Sequence, residues 1–226
     1  NSTRAELPFG IGQIGKAFRN EITPGHFIYR MREFEQMEQQ HFVQPNEADK
    51  YFDYWKAERM KWYINLGVKK ENLRFRQHEK GELAHYAKAA EDIEYNFPFG
   101  WHEIEGIHNR GDWDLSRHSE FSGQDFSETD PKTGKKFYPY IIETSAGADR
   151  LLLTFLLDAY EEVIGGRTTT TKSIKDLEVV LRLHKKLAPV KVAVLPLSRK
   201  EELTKPAYLI YRDLQKHFVC QYDETG

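Results

Sequence analysis

The segment between Arg19 and Glu38, RNEITPGHFIYRMREFEQME, threads arginines and glutamates through apolar residues. Its Thr23-Pro24-Gly25 step predicts a turn between two strands. Because every second side chain of a strand shares a face, the first strand pairs Arg19 with Glu21, and the second aligns Arg30, Arg32, Phe34, Gln36 and Glu38. Cations near the turn, then an aromatic ring, then a carboxylate suit a ligand with phosphates, a flat base and an amino group. The alternative is a solvated face with cross-strand ion pairs, each worth ~0.2–1 kcal/mol.

Two glutamates, Glu103 and Glu105, are separated by a single residue in a predicted strand from Trp101 to His108. This spacing places both carboxylates on one face, where their repulsion favours a hard cation such as Mg²⁺. A surface strand with two solvated glutamates is the alternative. The nearby histidines do not complete the H-E-x-x-H motif of zinc proteases, because position 106 is glycine.

The segment ETSAGADRLLLTFLLDAY predicts a strand that carries Glu143 and Ser145 and leads into a helix with Arg150 in its first turn. A cation at that end of a helix opposes the macrodipole by ~0.3–1 kcal/mol. The position of Arg150 therefore indicates an anion bound there, helped by free backbone N–H groups. The alternative is an ion pair between Arg150 and Asp149 or Glu143.

The composition is that of a globular chain. Its 226 residues are 39% hydrophobic and 30% charged, with a formal net charge of −2, so any contact with nucleic acid must come from local patches. The only cysteine, Cys220, excludes an internal disulfide and a cysteine-based zinc site. A reducing, cytoplasmic location is expected. No apolar run approaches the ~18 residues of a membrane span, and no membrane contact is expected.

The order of predicted elements indicates an α+β protein. A strand–turn–strand unit from Ile11 to Gln44 precedes a helix from Tyr51 to Leu66 and a short strand from Leu73 to Phe75. The later predictions are a helix from Glu82 to Tyr95, the strand from Trp101, a strand from Phe137 to Glu143, and a helix from Asp149 to Glu162.

A low-complexity stretch at residues 165–173, GGRTTTTKS, predicts a linker. It separates a domain at residues 1–164 from residues 174–226, which form the first part of a second domain. After the linker come a predicted strand from Val190 to Leu195, a helix from Lys200 to Phe218 and a strand from Val219 to Tyr222. Strand, helix and strand in this order indicate the start of an α/β domain with a parallel sheet.

Together, FRNE, REFEQME, GWHEIEGI and ETSAGADR resemble the glycyl-tRNA synthetases of the homodimeric class II type, and LAPVKVAVLPL with VCQYDETG resemble the start of their anticodon-binding domain. The resemblance implies a class II antiparallel sheet flanked by helices at 1–164, followed by the start of an α/β anticodon-binding domain. It also implies an ATP-dependent ligase that joins glycine to its tRNA in the cytoplasm. ATP, glycine, Mg²⁺, the tRNA and a second copy of the chain are the implied substrates and partners, and no zinc is expected.

The resemblance assigns roles to single residues. Arg19 and Arg150 are implied as catalytic, and Glu103 as the candidate magnesium ligand. The implied ATP-binding residues are Arg19, Asn20, Glu21, Tyr29, Arg30, Met31, Arg32, Glu33, Phe34, Glu103, Ile104, Gly147, Ala148, Asp149 and Arg150. The implied glycine-binding residues are Phe34, Glu35, Gln36, Met37, Glu38, Glu143, Thr144, Ser145, Ala146 and Gly147.

The sequence departs from the family at its ends. The dimer-forming helix and strand of the family are expected before Asn1, and most of the anticodon-binding domain is expected after Gly226. One alternative is a non-catalytic relative, such as an accessory subunit of a mitochondrial DNA polymerase. The charged residues Arg19, Glu38 and Arg150 argue against it. A class II synthetase for serine or threonine is the other alternative, and REFEQME argues against that.

Overall fold

The structure, a computed structural model, describes residues 5–78, 88–164 and 177–224. The described residues form two compact units, one up to Asp158 and one from Ala159. In the first unit the strands are β1 (Phe9–Phe18), β2 (Glu33–Val43), β3 (Leu73–Gln77), β4 (Ala89–Phe97), β5 (Gly100–Gly111), β6 (Glu128–Thr129), β7 (Lys136–Phe137) and β8 (Tyr140–Gly147). Its helices are α1 (Ala48–Asn65), α2 (Trp113–Ser122) and α3 (Ala148–Ala159), with short 3₁₀ turns at Phe27–Tyr29, Pro45–Glu47 and Lys70–Asn72.

A six-stranded antiparallel sheet with the order β1-β2-β8-β5-β4-β3 organises this unit. Helix α1 packs on β5 and β8. The side chains between helix and sheet include Tyr63, Ile93, Ile107 and Ile142, all fully buried. The other face of the sheet carries the polar side chains of β2, β5 and β8. The predicted antiparallel sheet flanked by helices is confirmed.

The predicted tight turn at Thr23-Pro24-Gly25 is wrong in its extent. Strand β1 ends at Phe18 and β2 begins at Glu33, so residues 19–32 form a long loop, and Arg30 and Arg32 precede the strand. The chain reverses where Gly25 pairs with Arg30 through two backbone hydrogen bonds of 3.1 Å. His26 and Phe27 between them have φ of 54° and 57°, a left-handed conformation that sequence pattern does not reveal for such residues.

The predicted helix from Glu82 to Tyr95 is wrong from Ala89 onward, because these residues form strand β4; residues 79–87 lie outside the described part. Its carboxylates resemble the polar face of a helix but are buried in the sheet. Asp92 accepts a 2.7 Å contact from His78, and Glu94 a 2.6 Å hydrogen bond from Arg74. Ion pairing with a neighbouring strand thus lets a charged sequence occupy an inner strand.

The second unit begins earlier than the predicted linker. Helix α3 ends at Ala159, and β9 (Tyr160–Ile164) pairs with β10 (Leu177–Leu181) as an antiparallel hairpin. The helix prediction to Glu162 is therefore wrong for its last three residues, where Tyr160 and the following Val163 and Ile164 favour a strand. The predicted linker at 165–173 lies in the undescribed segment 165–176.

The strand–helix–strand prediction near the C-terminus is confirmed. Strand β11 (Val192–Val194) pairs in parallel with β12 (Cys220–Tyr222), and helix α4 (Glu201–Leu214) connects them. Within the described ranges, no helix has the length and apolar character needed to cross a membrane.

Candidate functional site

A cleft opens on the polar face of the sheet. The loop before β2, strands β2, β5 and β8 and the first turn of α3 all contribute to it. Its lining residues are Arg19, Glu21, Ile28, Tyr29, Arg30, Met31, Phe34, Gln36, Glu103, Ser145, Gly147, Asp149 and Arg150. Arg19 and Arg150, distant in sequence, thus lie in one cleft.

Arg150 is held by two groups across the cleft. Its Nη1 donates a 3.0 Å hydrogen bond to the carbonyl of Glu103, and its Nε donates a 3.4 Å bond to the carbonyl of Tyr29. The guanidinium lies 4.1 Å from the centre of the Tyr29 ring, a cation–π distance. Its nearest carboxylate contact is Glu103 at 3.6 Å. The sequence alternative of an ion pair with Asp149 or Glu143 is therefore wrong.

Tyr29 fixes the same corner through its phenol, which donates a 2.9 Å hydrogen bond to the carbonyl of Glu103. Burial raises the pKa of Tyr29 to about 12, so the phenol keeps its proton at neutral pH. Asp149 has a structural role, because its carboxylate accepts the backbone N–H of Glu35 at 2.8 Å. This bond ties the start of α3 to β2.

Arg19 lines the same cleft beside Phe34. Its guanidinium lies 5.4 Å from the centre of the Phe34 ring, and its backbone N–H bonds the carbonyl of Arg32. In the described part of the chain, no carboxylate forms an ion pair with Arg19, whereas Arg30 pairs with Glu21 at 3.2 Å. The charge of Arg19 is therefore available to an anion beside an aromatic ring.

A carboxylate pocket adjoins this cleft along β2 and β8. Gln36 donates hydrogen bonds to Ser145 Oγ at 2.6 Å and to Glu38 at 3.1 Å. Gln40 donates to Glu38 at 2.9 Å and to Glu143 at 3.3 Å. The strand register places Glu38 opposite Ser145 and Gln40 opposite Glu143. The two glutamine amides thus orient two carboxylates on one face, a geometry that suits a small cation such as an ammonium group.

Four residues of this pocket were missed from sequence: Gln40, Gly106, His108 and Arg110. Arg110 donates to Glu143 at 3.0 Å, and His108 Nδ1 lies 3.4 Å from Glu143. Both line the pocket together with Gly106. Arg110 could have been found from the alternation along β5, which continues to Gly111, whereas the predicted strand stopped at His108. The guanidinium of Arg110 thus provides an ion-pair partner for the buried carboxylate of Glu143.

The prediction that Glu103 and Glu105 share a face is wrong. Ile93 pairs with Glu105 while Glu94 pairs with Glu103, so β5 has one extra residue, Ile104, in a β-bulge. Glu105 points to α1, where it is 1% exposed and accepts 2.6 Å hydrogen bonds from Arg59 and Tyr63. Glu103 faces the cleft. Each carboxylate has its own arginine, so no shared cation is needed.

Strand alternation divides the remaining predicted residues. Phe34, Gln36, Glu38, Glu143 and Ser145 face the clefts. Ile104 and Ala146 belong to the hydrophobic core, Met37 packs against it, and Thr144 is buried. Neither the cleft nor the carboxylate pocket is lined by five other predicted site residues: Asn20, Arg32, Glu33, Glu35 and Ala148.

Glu103 is the one carboxylate from the magnesium prediction that reaches the cleft, with its side chain 48% exposed. Mg²⁺ commonly binds one or two carboxylates together with substrate phosphates and water, and the exposed carboxylate of Glu103 in the cleft beside Arg150 fits that pattern. The described ranges contain no cluster of three or more histidine, cysteine, aspartate or glutamate side chains arranged to hold a metal.

Comparison with known proteins agrees with this geometry. The model of the tRNA synthetase class II core domain (G, H, P, S and T) matches residues 1–159. A glycine–tRNA ligase of Caldanaerobacter subterraneus is 57% identical over all of this chain, which covers 47% of that protein. One of Geobacillus kaustophilus is 54% identical over 99% of this chain and 46% of its own length. The chain thus spans about half the length of these relatives.

A solved structure shows the same fold. Prolyl-tRNA synthetase of Cryptosporidium parvum, complexed with L-proline and AMP, superposes with a TM-score of 0.68 at 20% identity, over 96% of this chain and 43% of that one. The class II fold predicted from the sequence is confirmed by this likeness and by the six-stranded antiparallel sheet.

Proposed function

Because the chain belongs to the family of class II tRNA synthetase core domains, we propose that it is the catalytic part of a glycine–tRNA ligase. One observation carries this proposal: Arg19, Phe34 and Arg150 line one cleft that joins directly to the pocket of Glu38, Glu143 and Ser145. The first set suits a nucleotide and the second suits a small amino acid. The high identity to glycine–tRNA ligases supports glycine as that amino acid.

ATP binds with its adenine on the Phe34 ring and its phosphates between Arg19 and Arg150. Stacking of a base on an aromatic ring is tolerant of small displacements and contributes ~1–3 kcal/mol. The planar guanidinium groups suit phosphate oxygens, to which they donate paired hydrogen bonds. Glu21 and Arg30, joined by their ion pair, form the wall beside the base.

Glycine binds in the carboxylate pocket. Its ammonium group is held by Glu38 and Glu143, whose orientation is set by Gln36 and Gln40. Gly106 lies opposite Ser145 in the strand register, and a Cβ added at Gly106 would lie 2.6 Å from the His108 ring. A side chain at position 106 would therefore meet the His108 ring, and glycine selectivity on this proposal comes from exclusion of larger amino acids by size.

The reaction needs alignment and charge neutralisation more than a protein nucleophile. A carboxylate oxygen of glycine attacks the α-phosphorus, a new oxygen–phosphorus bond forms, and the bond to the bridging oxygen breaks to release pyrophosphate. Arg19 and Arg150 stabilise the charge on the phosphate oxygens. A hydroxyl of the terminal tRNA ribose then attacks the glycyl carbonyl, and AMP leaves.

Glu103 would hold the magnesium that accompanies ATP, and the ion would supply further neutralisation of the triphosphate charge. The wider assignments are part of the same proposal. The second unit is the start of an anticodon-binding α/β domain, and the intact protein is a cytoplasmic homodimer that binds the tRNA for glycine.

The proposed function is tested by ATP–pyrophosphate exchange with the intact protein and a panel of amino acids. We expect exchange with glycine and less than about one hundredth of that rate with alanine, serine, threonine and proline. Equal exchange with another amino acid, or none with glycine, would overturn the assignment.

A further inference from the structure

The strongest unassigned feature is the buried cluster of Arg59, Tyr63 and Glu105 behind the cleft. Glu105 accepts one 2.6 Å hydrogen bond from Arg59 Nε and one from the Tyr63 hydroxyl. Both donors lie on α1, four residues apart, on one face of the helix. Tyr63 is fully buried and Glu105 is 1% exposed, so this is a dry contact between helix and sheet.

The cluster lies directly behind the bulge that turns Glu103 into the cleft. In a regular strand, Glu103 and Glu105 would point to the same side. Here Glu105 is held on the helix side by α1, and the side chain of Ile104 is buried in the core. The extra residue leaves Glu103 on the opposite side, where it lines the cleft.

Glu103 is also the residue on which the ATP side of the cleft converges. Its carbonyl accepts hydrogen bonds from the Tyr29 hydroxyl at 2.9 Å and from Arg150 at 3.0 Å. A shift of the bulge would therefore move the acceptor that holds Arg150. The carboxylates of Glu38 and Glu143 lie on β2 and β8 and do not depend on these two bonds.

We propose that Arg59, Tyr63 and Glu105 are positioning residues for the ATP site: they anchor the β5 bulge and thereby place Glu103 and Arg150 on the phosphates. This inference rests on the proposed function. The cluster has no contact with substrate, and it acts through the backbone of β5. The bulge adjoins Glu103, whereas His108 and Arg110, the β5 residues that contact Glu143, lie further along the strand. Loss of the anchor therefore affects ATP more than glycine.

The test measures ATP–pyrophosphate exchange in the intact protein with Glu105→Gln and with Tyr63→Phe. We expect the KM for ATP to rise about tenfold or more, while the KM for glycine changes less than about twofold. Direct ATP binding, measured by calorimetry without glycine, should weaken by the same factor. Arg59→Lys keeps the charge near Glu105 and should therefore raise the KM for ATP less than Glu105→Gln does.

The matched control is Glu91→Gln. Glu91 lies on β4 and pairs with Lys56 of α1 at 2.7 Å, so it is also a helix–sheet ion pair, but one away from the bulge. It should leave the KM for ATP unchanged, with a smaller loss of thermal stability than Glu105→Gln, because the Glu91 carboxylate is the more exposed of the two.

An unchanged KM for ATP in both test variants, or equal increases for ATP and glycine, would overturn the inference. If Glu105→Gln does not fold, Tyr63→Phe decides alone, because it removes one donor and leaves the ion pair. Failure of the proposed function itself is distinguishable, since the unmodified protein would then show no glycine-dependent exchange.

Discussion

The guanidinium of Arg150 lies 4.1 Å from the centre of the Tyr29 ring, although 121 residues separate the two in the chain. This contact joins the first turn of α3 to the loop that precedes β2. Arg150 therefore has a fixed position in the cleft that Arg19 also lines. The position of an arginine at a helix N-terminus, unfavourable to the macrodipole, is explained by these contacts and by the anion that we propose.

Replacement of Arg19 tests the phosphate contact. We expect Arg19→Ala to lower glycine-dependent pyrophosphate exchange by about 10²-fold or more, because one preorganised donor to the developing charge is lost. Arg19→Lys should recover a part of the rate. Arg117, an exposed arginine paired with Glu120 on α2, provides the control, and Arg117→Ala should exchange normally. Near-normal exchange by Arg19→Ala would remove Arg19 from the reaction.

Neutralisation of Glu38 tests the ammonium site. Loss of a charged hydrogen bond of ~1.5–3 kcal/mol predicts that Glu38→Gln raises the KM for glycine by about 10- to 150-fold. The KM for ATP should change little. Glu58→Gln, at an exposed helix position paired with Lys61, should change neither constant. A glycine dependence unaffected by Glu38→Gln would place the ammonium group elsewhere.

The size of the pocket is tested at Ser145. Its hydroxyl accepts the 2.6 Å hydrogen bond from Gln36 at the edge shared by both clefts. Ser145→Leu should abolish glycine activation by filling this space, with ATP binding retained in calorimetry. Ser145→Ala removes only the hydroxyl and should retain activity. Glycine activation by the leucine variant would show that the amino acid binds at another place.

Tyr29 predicts a specific alkaline sensitivity. Burial raises its pKa to about 12 from the usual ~10 of an exposed tyrosine, so the folded state holds the proton more tightly. The resulting stabilisation is fully present below about pH 10 and is lost as the pH rises toward about 12. Urea unfolding should show a steeper decrease in stability between about pH 10 and about pH 12 for the unmodified protein than for Tyr29→Phe.

Tyr54 provides the control for this experiment, because it is half-exposed on α1. Tyr54→Phe should leave the slope of stability against pH unchanged. The other buried tyrosines are common to all three proteins and cancel in the comparison. Parallel curves for Tyr29→Phe and the unmodified protein would contradict the assignment.

Much of the site was predictable because its residues are few and chemically distinct. The sequence context was recognisable for Arg19, for Phe34 on an alternating strand and for Arg150 at the start of a helix. The same holds for Glu103, which lies on β5, two strands away from β2. The common cleft of Arg19 and Arg150 followed from the family resemblance and is present in the structure. The helical spacing of apolar residues was also sufficient to predict α1, and the strand–helix–strand order was sufficient to predict β11, α4 and β12.

The errors come from interactions that sequence pattern does not contain. Asp92 and Glu94 make β4 look like an exposed helix, and only their pairing with β3 shows why they tolerate burial. The bulge at Ile104 changes the face of Glu103, and it is defined by Tyr63 and Arg59 on a separate helix. The alternation of residues within one strand does not reveal a β-bulge of a single residue. Here the contacts beside the bulge come from residues more than forty positions away.

The most direct test of the account is a crystal structure of the intact protein with a non-hydrolysable analogue of glycyl-adenylate. We predict the adenine on Phe34, the phosphate oxygens between Arg19 and Arg150, and the ammonium group against Glu38 and Glu143. An analogue bound with its phosphate away from both arginines, or with its ammonium group outside the two carboxylates, would contradict it.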